Sequence, residues 1–380
     1  MRVSLLTYHF VDNYGAALQA YCLQKHLQAL GHDAAFIDYR PSHLVSGGSF
    51  RLPLDRWRVK ANLTIGYLKA RELRKMLLGD GGKRRSFEEF HRDYLHIVGP
   101  TYRSYQSLTK RPPDADAVIC GSDQIWNSSV QYGIDPTYFL GFARPDQKTL
   151  SYAASFGRPS VEERYRNQVA SLLGGVQAIS VREASAVDIV AELTGRTATW
   201  VPDPTLLITD GHPEAVPPRN INSDYTFSYT LRSRELVAQV EQRIAQLLHR
   251  PVVRPASIKT SKDSIPGPLE WLGYIKSSQF VITNSFHGTA FSIIFRRPFV
   301  FVGLPGAKAA FNERAHSLLT RLGLEDRMIH EWDASRLERI SSTEPDWSAV
   351  ESKMNLWRAE ANRFLQDELS KTSASQAIAP

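Results

Sequence analysis

The sequence predicts an α/β protein of two lobes, each built on a doubly wound sheet, with a cleft between them. The chain has 380 residues, of which 42% are hydrophobic and 22% charged, so it can bury two ordinary domain cores. Short apolar runs alternate with helical periodicity in both halves, which is typical of βαβ units. Small and polar residues follow several predicted strands, at the edge where doubly wound sheets bind ligands.

The N-terminal lobe is predicted to span residues 1–205. Residues 3–7 form a strand, residues 16–30 a helix that Gly31 ends, and residues 34–39 a second strand. These three elements make one βαβ unit. Further strands are predicted at 117–120, 149–154, 178–182 and 199–201.

The C-terminal lobe is predicted to span residues 206–369. The sequence Pro202-Asp203-Pro204 favours a domain boundary just before the start of this lobe. Strands are predicted at 225–231, 252–253, 280–283 and 299–302, and helices at 235–248, 268–277, 289–295 and 347–369. Residues 370–380 are small and polar, which predicts a disordered tail.

Composition disfavours several classes of protein. The first residues lack the long apolar centre of a signal peptide, and no window holds eighteen apolar residues, so we expect a cytoplasmic protein without a membrane-spanning helix. Cys22 and Cys120 stand in apolar surroundings, which predicts buried thiols in a reducing compartment. No cluster of acidic or His residues has ligand spacing, so no metal is expected.

The net charge of +7 is concentrated in one stretch. Residues 51–85, inside a predicted basic insertion at about 45–110, hold eleven Lys or Arg against three acids, a net charge of +8. Apolar side chains interleave with these charges, so the stretch can be an amphipathic surface for an anionic membrane; a solvated basic face explains it equally well. Nucleic acid is not expected as a partner, because no recognisable binding module accompanies the charge.

His287 is the strongest candidate for chemistry. It follows the apolar strand 280–283 and stands at the start of a helix, where backbone N–H groups and the dipole attract an anion. An imidazole there can donate a proton to a bound substrate, provided that an anionic ligand offsets the dipole. Asn284, Ser285 and Gly288 add donors and a close backbone approach, so the turn is predicted to bind a phosphate or carboxylate. A purely structural histidine is the alternative.

Three basic residues are predicted to face the same cleft. Arg182 ends an apolar strand, where a guanidinium is unfavourable unless it meets a carboxylate or a phosphate in two parallel hydrogen bonds. Its alternative is an ion pair with Glu183 or another nearby acid. Lys308 and Arg314 follow the last predicted strand, in a segment expected to close over the cleft, although either can be surface charge.

The loops after three N-terminal strands carry residues suited to sugar hydroxyls, through hydrogen bonds and ring stacking. They are His9, Asn13, Tyr14, Gly15, Ser122, Asp123 and Ser155. Capping of the first helix by Asn13 and tight turns at the other positions are the alternatives.

Seven blocks of the sequence are similar, in their order and rough spacing, to those of the polysaccharide pyruvyl transferase family. They are TYHFVDNYGAALQAYCLQKHLQALGH, GSDQIWN, YAASFG, ISVRE, VPDPTLL, TNSFHGTAFSIIF and FNERAHSLLTRLGLEDR. The resemblance extends over roughly residues 2–327.

The resemblance implies a GT-B-like fold of two Rossmann-like lobes. It also implies transfer of a pyruvyl group from phosphoenolpyruvate, the donor substrate, to two sugar hydroxyls, which gives a ketal and phosphate without a cofactor. His287 matches the family's motif histidine and would protonate the enol, while Arg182 would hold the donor's phosphate or carboxylate. Relatives often carry Arg two positions before the motif histidine, where this chain has Ser285. Lys308 or Arg314 would then supply the cation, or the donor differs.

The implied acceptor is a glycan, including a lipid-linked or nucleotide-linked intermediate at the inner face of a bacterial membrane, where residues 51–85 would dock. Two alternatives stay open. In a glycosyltransferase that uses a nucleotide sugar, Arg182 and Lys308 would hold a diphosphate and His287 would act as a base. In a non-catalytic glycan-binding homologue, none of these residues would support a reaction.

Overall fold

The computed structural model describes residues 1–45, 66, 70, 83–209, 212–218, 221, 224–231, 235–255 and 265–370. Most of the basic segment 51–85 and the tail after residue 370 therefore lie outside the described residues, with the predictions made for them. Among the described helices, none is long and apolar enough to cross a membrane. Cys22 and Cys120 are buried free thiols, as predicted. Within these ranges, no three His, Cys, Asp or Glu side chains are grouped to bind a metal ion.

A parallel sheet of seven strands forms the N-terminal lobe. Its strands are β1 (Arg2–Leu6), β2 (Asp33–Tyr39), β3 (Ile97–Tyr102), β4 (Ala117–Cys120), β5 (Lys148–Ala154), β6 (Ala178–Val181) and β7 (Thr199–Trp200). They lie in the order β3-β2-β1-β4-β5-β6-β7. The winding reverses between β1 and β4, so the loops after these two strands lie at the switch point, where such sheets bind ligands.

Eight helices accompany this sheet within the described ranges. They are α1 (Tyr14–Ala29), α2 (Ser42–Val45), α3 (Lys83–Tyr94), α4 (Tyr105–Lys110), α5 (Ser128–Gln131), α6 (Arg166–Gly174), α7 (Ala184–Thr194) and α8 (Pro204–Leu207). Short 3-10 turns occur at Pro136–Phe139 and Glu163–Tyr165. Most residues of α1 are buried, because this helix lies between the two lobes.

The C-terminal lobe has a second parallel sheet of five strands. They are β8 (Thr226–Tyr229), β9 (Val252–Val253), β10 (Phe280–Thr283), β11 (Phe299–Val302) and β12 (Met328–Ile329), in the order β12-β11-β10-β8-β9. The switch point of this sheet lies between β8 and β10, so the turn after β10 faces the cleft. The helices are α9 (Glu235–Leu248), α10 (Pro268–Ser277), α11 (Phe286–Ile294), α12 (Glu313–Leu322), α13 (Ala334–Ser342) and α14 (Trp347–Ser370), with 3-10 turns at Gly306–Asn312 and Glu325–Arg327.

The last helix, α14, returns to the N-terminal lobe. Trp357 Nε1 donates a hydrogen bond to the carbonyl of Trp200 at 2.9 Å, and Lys148 Nζ donates to the carbonyl of Leu369 at 2.7 Å. The helix also contacts the C-terminal lobe, where Lys353 Nζ donates a hydrogen bond to the carbonyl of Leu322 at 3.2 Å. It therefore packs on both lobes, and the assignment of residues 206–369 to the C-terminal lobe stays a prediction. Its sequence pattern identified the helix but not the surface that it covers.

One hydrophobic core runs through both lobes. A single cluster of buried side chains includes Leu5 from the first sheet and Val281 from the second. At its centre, Tyr14 of α1 stacks on Trp271 of α10, with ring centroids 5.0 Å apart and an interplanar angle of 7°. The lobes are thus held in contact near the N-terminus of α1.

Two predicted boundaries need correction. The basic insertion was predicted to reach residue 110, but β3 is the edge strand of the first sheet and α3 buries Phe87 and Phe90 against the lobe. The helix after β10 begins at Phe286 rather than at residue 289, because Ser285 is its N-cap. His287 is therefore inside the first turn of α11, and not in the loop before it.

Candidate active site

The turn between β10 and α11 is fixed by its own side chains. Thr283 Oγ1 accepts a hydrogen bond from the amide of Ser285 at 3.0 Å, and Ser285 Oγ accepts one from the amide of Gly288 at 3.3 Å. Asn284 Oδ1 accepts a hydrogen bond from the amide of Leu231 at 2.7 Å, which ties the turn to the loop after β8. Polar groups predicted to bind the donor at Asn284, Ser285 and Gly288 are thus engaged in holding the turn.

His287 lies at the boundary between the lobes and is only 6% exposed. Its Nε2 is 3.5 Å from Oδ2 of Asp203, an ion-pair distance that is longer than a direct hydrogen bond. On the other side of the ring is Gly15 of α1, where an added Cβ would lie 1.9 Å from Nδ1. Only glycine allows this approach. Nε2 has no hydrogen-bond partner among the described residues.

Asp203, which caps α8, is fully buried and has four donors. Its Oδ1 accepts hydrogen bonds from the amide of Thr205 at 3.0 Å and from the hydroxyl of Thr205 at 2.8 Å. Its Oδ2 accepts from Ser122 Oγ at 2.8 Å and from Arg182 Nη1 at 2.8 Å. The carboxylate therefore has a fixed orientation, with Oδ2 also facing His287.

The surroundings of Asp203 favour its ionised form. Burial alone would raise the pKa of this carboxyl group, since a charge is unfavourable away from water. Interactions with His287, with the guanidinium of Arg182 and with the amide of Thr205 outweigh that effect and hold the pKa of Asp203 well below its usual range. A permanent negative charge thus stands beside the candidate acid.

Arg182 is buried at the centre of the cluster, with 2% exposure. Its Nη1 is bound to Asp203, so the predicted ion-pair alternative holds, with Asp203 as the partner. Its Nε and Nη2 form no hydrogen bond with a described residue, although Nη2 lies 3.7 Å from Asp123 Oδ1. The guanidinium covers the ring of Phe286 at 4.6 Å, and that of Arg314 lies 6.0 Å from the same ring.

Glu183 lies beside this cluster and is also fully buried. Its Oε1 accepts hydrogen bonds from Ser155 Oγ and from the amide of Gly157, both at 2.9 Å. Burial raises the pKa of Glu183, and the opposing effects of Arg182, these hydrogen bonds and Arg314 do not cancel it. Ser155 therefore supports Glu183 from within the core, and its predicted contact with the acceptor stays a prediction.

The structure brings together six of the predicted residues from both lobes. They are Gly15, Ser122, Asp123, Arg182, His287 and Arg314. Lys308 is exposed on the turn Gly306–Asn312 and does not join this buried group.

His9 and Tyr14 of the first loop make contacts within the protein. His9 is fully buried, with Nε2 at 3.3 Å from Asp38 Oδ1 and Nδ1 at 3.2 Å from the carbonyl of Thr7. The hydroxyl of Tyr14 donates to the carbonyl of Pro266 at 2.7 Å while its ring stacks on α10. Both side chains are thus engaged within the protein, and their predicted contact with a sugar stays a prediction.

Asn13 has the alternative role that the sequence left open. Its Oδ1 accepts a hydrogen bond from the amide of Ala16 at 3.1 Å and so caps α1. A half-buried cap of this kind stabilises the start of the helix and does not point to a ligand by itself.

Asp203 and Glu183 are the residues that the sequence analysis missed as members of the site. Asp203 was interpreted only as part of a boundary between prolines. The available signal was that both acids stand directly after apolar strands, inside the blocks VPDPTLL and ISVRE. A buried carboxylate needs a partner, so each position called for a donor nearby.

The comparisons with known proteins agree with this architecture. The family described as polysaccharide pyruvyl transferase matches residues 13–304. A comparison with curated protein sequences gives no match. The chain resembles the structure of Arabidopsis thaliana UGT89C1 in complex with UDP-L-rhamnose, with a TM-score of 0.54 and 9% identity over 98% of this chain and 99% of that chain. UDP-GlcNAc 2-epimerase from Methanocaldococcus jannaschii also aligns, with a TM-score of 0.47 and 11% identity over 91% of this chain and 93% of that chain.

The likeness to UGT89C1 concerns the fold alone, at an identity of 9%. The chain has two parallel sheets, each with helices, and residues of both lobes contribute to the His287 cluster. The predicted GT-B fold with two Rossmann-like lobes is confirmed.

Proposed function

Because this chain belongs to the polysaccharide pyruvyl transferase family, we propose that it transfers the pyruvyl group of phosphoenolpyruvate to two hydroxyls of one sugar. The acceptor is a polysaccharide or its lipid-linked precursor, and the products are a pyruvate ketal and phosphate. One observation carries the proposal. His287, from the C-terminal lobe, places its imidazole at the lobe boundary, with Nδ1 against Gly15 and with Nε2 lacking a hydrogen-bond partner, beside the buried guanidinium of Arg182 from the N-terminal lobe.

The reaction needs an acid that faces an enol. Protonation of the methylene carbon of phosphoenolpyruvate makes a methyl group and leaves an oxocarbenium-like centre at C2. One sugar hydroxyl adds to C2, the bond from C2 to the phosphate oxygen breaks, and the second hydroxyl adds in its place. Each hydroxyl releases one proton; one restores the acid and the other leaves with the phosphate. His287 is the proposed acid.

The donor carries a phosphate and a carboxylate, so its site requires cations and N–H donors. Nε and Nη2 of Arg182 are buried donors that face no described acceptor within hydrogen-bond distance. The guanidinium of Arg314 lies 6.0 Å from the ring of Phe286, and the amides of Phe286 and His287 are first-turn groups that the turn's own side chains do not occupy. These groups together suit a small dianion or trianion.

Ser285 stands where relatives often carry Arg, and its position bears on the choice of donor. Its hydroxyl caps α11, so the residue has a structural use here that differs from binding an anion. Arg314 replaces the missing cation in our proposal, because its guanidinium flanks the same aromatic ring as Arg182. Lys308 is too exposed to make the same contribution to a desolvated site.

The test is phosphate release from phosphoenolpyruvate in the presence of pooled glycan acceptors. Wild type is compared with His287→Ala and with the control His96→Ala, which changes an exposed histidine before β3, at the sheet edge opposite the site. We expect acceptor-dependent release that His287→Ala lowers by about 10²-fold or more and that the control leaves unchanged.

Two outcomes would replace the proposal. Release of a nucleoside diphosphate from nucleotide sugars, with no reaction of phosphoenolpyruvate, would make the chain a glycosyltransferase of the same fold. Binding of glycans without turnover of either donor would make it a non-catalytic homologue. Arg314→Ala sharpens the donor assignment, because a raised KM for phosphoenolpyruvate is expected if Arg314 binds it.

A further inference from the structure

The carboxylate of Asp203, which faces His287, is held in place by several hydrogen bonds. Asp203 receives two hydrogen bonds on each oxygen, from Thr205 at one and from Ser122 and Arg182 at the other. It is 0% exposed, and its pKa lies well below the usual range of an aspartate. A buried carboxylate with this many partners has a fixed orientation. In that orientation, Oδ2 of Asp203 faces Nε2 of His287.

We propose that Asp203 is the positioning residue of the acid His287 and fixes which ring nitrogen delivers the proton. The inference rests on the proposed function and assigns a residue and an atom within the same site. Nε2 carries its hydrogen towards Asp203, and Nδ1 is the atom that protonates the methylene carbon of the donor. Arg182 then has two tasks: Nη1 holds Asp203, and its other nitrogens face the donor.

The electrostatics of α11 explain why this partner is needed. His287 stands in the first helical turn, where the dipole disfavours a positively charged imidazole. An ionised carboxylate 3.5 Å from Nε2 opposes that effect in a site with little water. The separation is longer than a hydrogen bond, and contacts of catalytic histidines often shorten only when the substrate is bound.

The assignment of Nδ1 also locates the donor. This atom faces Gly15, and the space between them is too small for one additional carbon. For Nδ1 to reach the methylene carbon, the His287 ring and Gly15 must move apart, while the stack of Tyr14 on Trp271 keeps the lobes in contact beside them. Gly15 belongs to the N-terminal lobe and His287 to the C-terminal lobe, so the inferred movement is a local one at the boundary between them.

The main variant is Asp203→Asn, which keeps the shape of the side chain and removes its charge. The first readout needs no donor: nitrogen NMR of the histidine rings, with the His287 signals assigned from His287→Ala. In wild type the neutral ring of His287 is expected to carry its hydrogen on Nε2. In Asp203→Asn this preference is expected to be lost. An unchanged tautomer would overturn the inference.

The second readout is steady-state phosphate release from phosphoenolpyruvate. Asp203→Asn is expected to lower kcat by about tenfold to 10²-fold, with KM for the donor changed by less than about twofold, because partners that orient a functional side chain have effects of that size. Ser122→Ala removes one support of Asp203 and keeps the charge, so a smaller fall in kcat is expected. If Asp203→Asn unfolds, as a melting curve would report, Ser122→Ala carries both readouts.

The two proposals fail in different ways. If wild type releases no phosphate from phosphoenolpyruvate, the proposed function fails, while the tautomer measurement still decides the role of Asp203. If wild type is active and Asp203→Asn keeps both kcat and the tautomer, the positioning role fails and the proposed function stands. A rise in KM alone would assign Asp203 to donor binding instead and would also overturn the inference.

Discussion

Two strand-to-helix junctions of this protein look alike in sequence but differ in use. The junction from β1 to α1 contains His9, and the junction from β10 to α11 contains His287. Each imidazole points Nε2 at an aspartate, at 3.3 Å to Asp38 and at 3.5 Å to Asp203. Nδ1 of His9 also contacts the carbonyl of Thr7, whereas Nδ1 of His287 lies at the boundary between the lobes.

The difference shows that a histidine and aspartate pair does not by itself make a site. His9 is enclosed within one lobe, with no exposed surface and with both ring nitrogens engaged. His287 has one nitrogen towards a fixed carboxylate and the other towards the partner lobe. The proposed functional pair differs from the other pair in two ways: it lies where the switch points of both sheets meet, and one of its imidazole nitrogens has no hydrogen-bond partner among the described residues.

The largest expected contrast comes from replacing each histidine by alanine. His287→Ala is expected to lower the rate of phosphate release by about 10²-fold to 10⁴-fold, with little change in unfolding, because a proton donor is lost. His9→Ala is expected to lower the free energy of unfolding by about 2 kcal/mol, since the buried Asp38 loses a partner, and to keep the rate. Kinetics and urea unfolding of both variants check this. Equal losses of rate would contradict the comparison.

The paired aspartate of the site makes a prediction about pH. The folded state lowers the pKa of Asp203, so its charge stabilises the fold above the unfolded pKa near 3.8, and this stability is lost as the pH falls below it. The difference in free energy of unfolding between wild type and Asp203→Asn should be largest near pH 7 and should shrink below about pH 4. Urea unfolding at pH 7 and pH 3 measures it. A difference that grows towards acid would contradict the assigned charge.

The next prediction has a smaller effect on the rate and compares Gly15, which lies at the site, with Gly174, which lies away from it. Gly15→Ala should favour helix α1 locally, yet its Cβ would clash with His287, so a loss of rate of about tenfold is expected. Gly174, the last residue of α6, has open space around it and is the control. Gly174→Ala should raise the free energy of unfolding by about 0.5 kcal/mol and leave the rate unchanged. Normal activity of Gly15→Ala would show that the lobes do not approach this closely.

The smallest expected effect concerns the cap of α1. Asn13→Ala removes the hydrogen bond to the amide of Ala16 and should lower the free energy of unfolding by about 1 kcal/mol without changing the sugar dependence of the rate. Unfolding curves and acceptor titrations check the two parts. A large rise in KM for the acceptor would restore Asn13 to the sugar site that the sequence analysis predicted.

The sequence identified those elements whose pattern is local. β4, β10 and β11 have the predicted bounds, because each is an uninterrupted apolar run between polar or breaking residues. α9 and α10 also begin and end as predicted. The start of α11 was missed because Ser285 was considered only as a ligand, although serine is a preferred cap.

Only those site residues could be predicted whose chemistry is recognisable from their own position in the sequence. His287 and Arg182 were found because a histidine at a helix start and an arginine after an apolar strand are each unusual. Asp203 is recognisable as a site residue only through its contacts with Arg182 and His287. Both are distant from it in sequence and contact it only in the folded chain. The contact of His9 with Asp38 was not predicted for the same reason, since Asp38 lies within another strand.

The central claim is that His287 protonates the enol of phosphoenolpyruvate in the cleft between the lobes. The most direct measurement is mass spectrometry of the glycan product after reaction in heavy water. The account predicts a pyruvate ketal whose methyl group has gained one deuterium from the solvent, formed by wild type and not by His287→Ala. A ketal methyl without deuterium, or the same product at the same rate from His287→Ala, would contradict it.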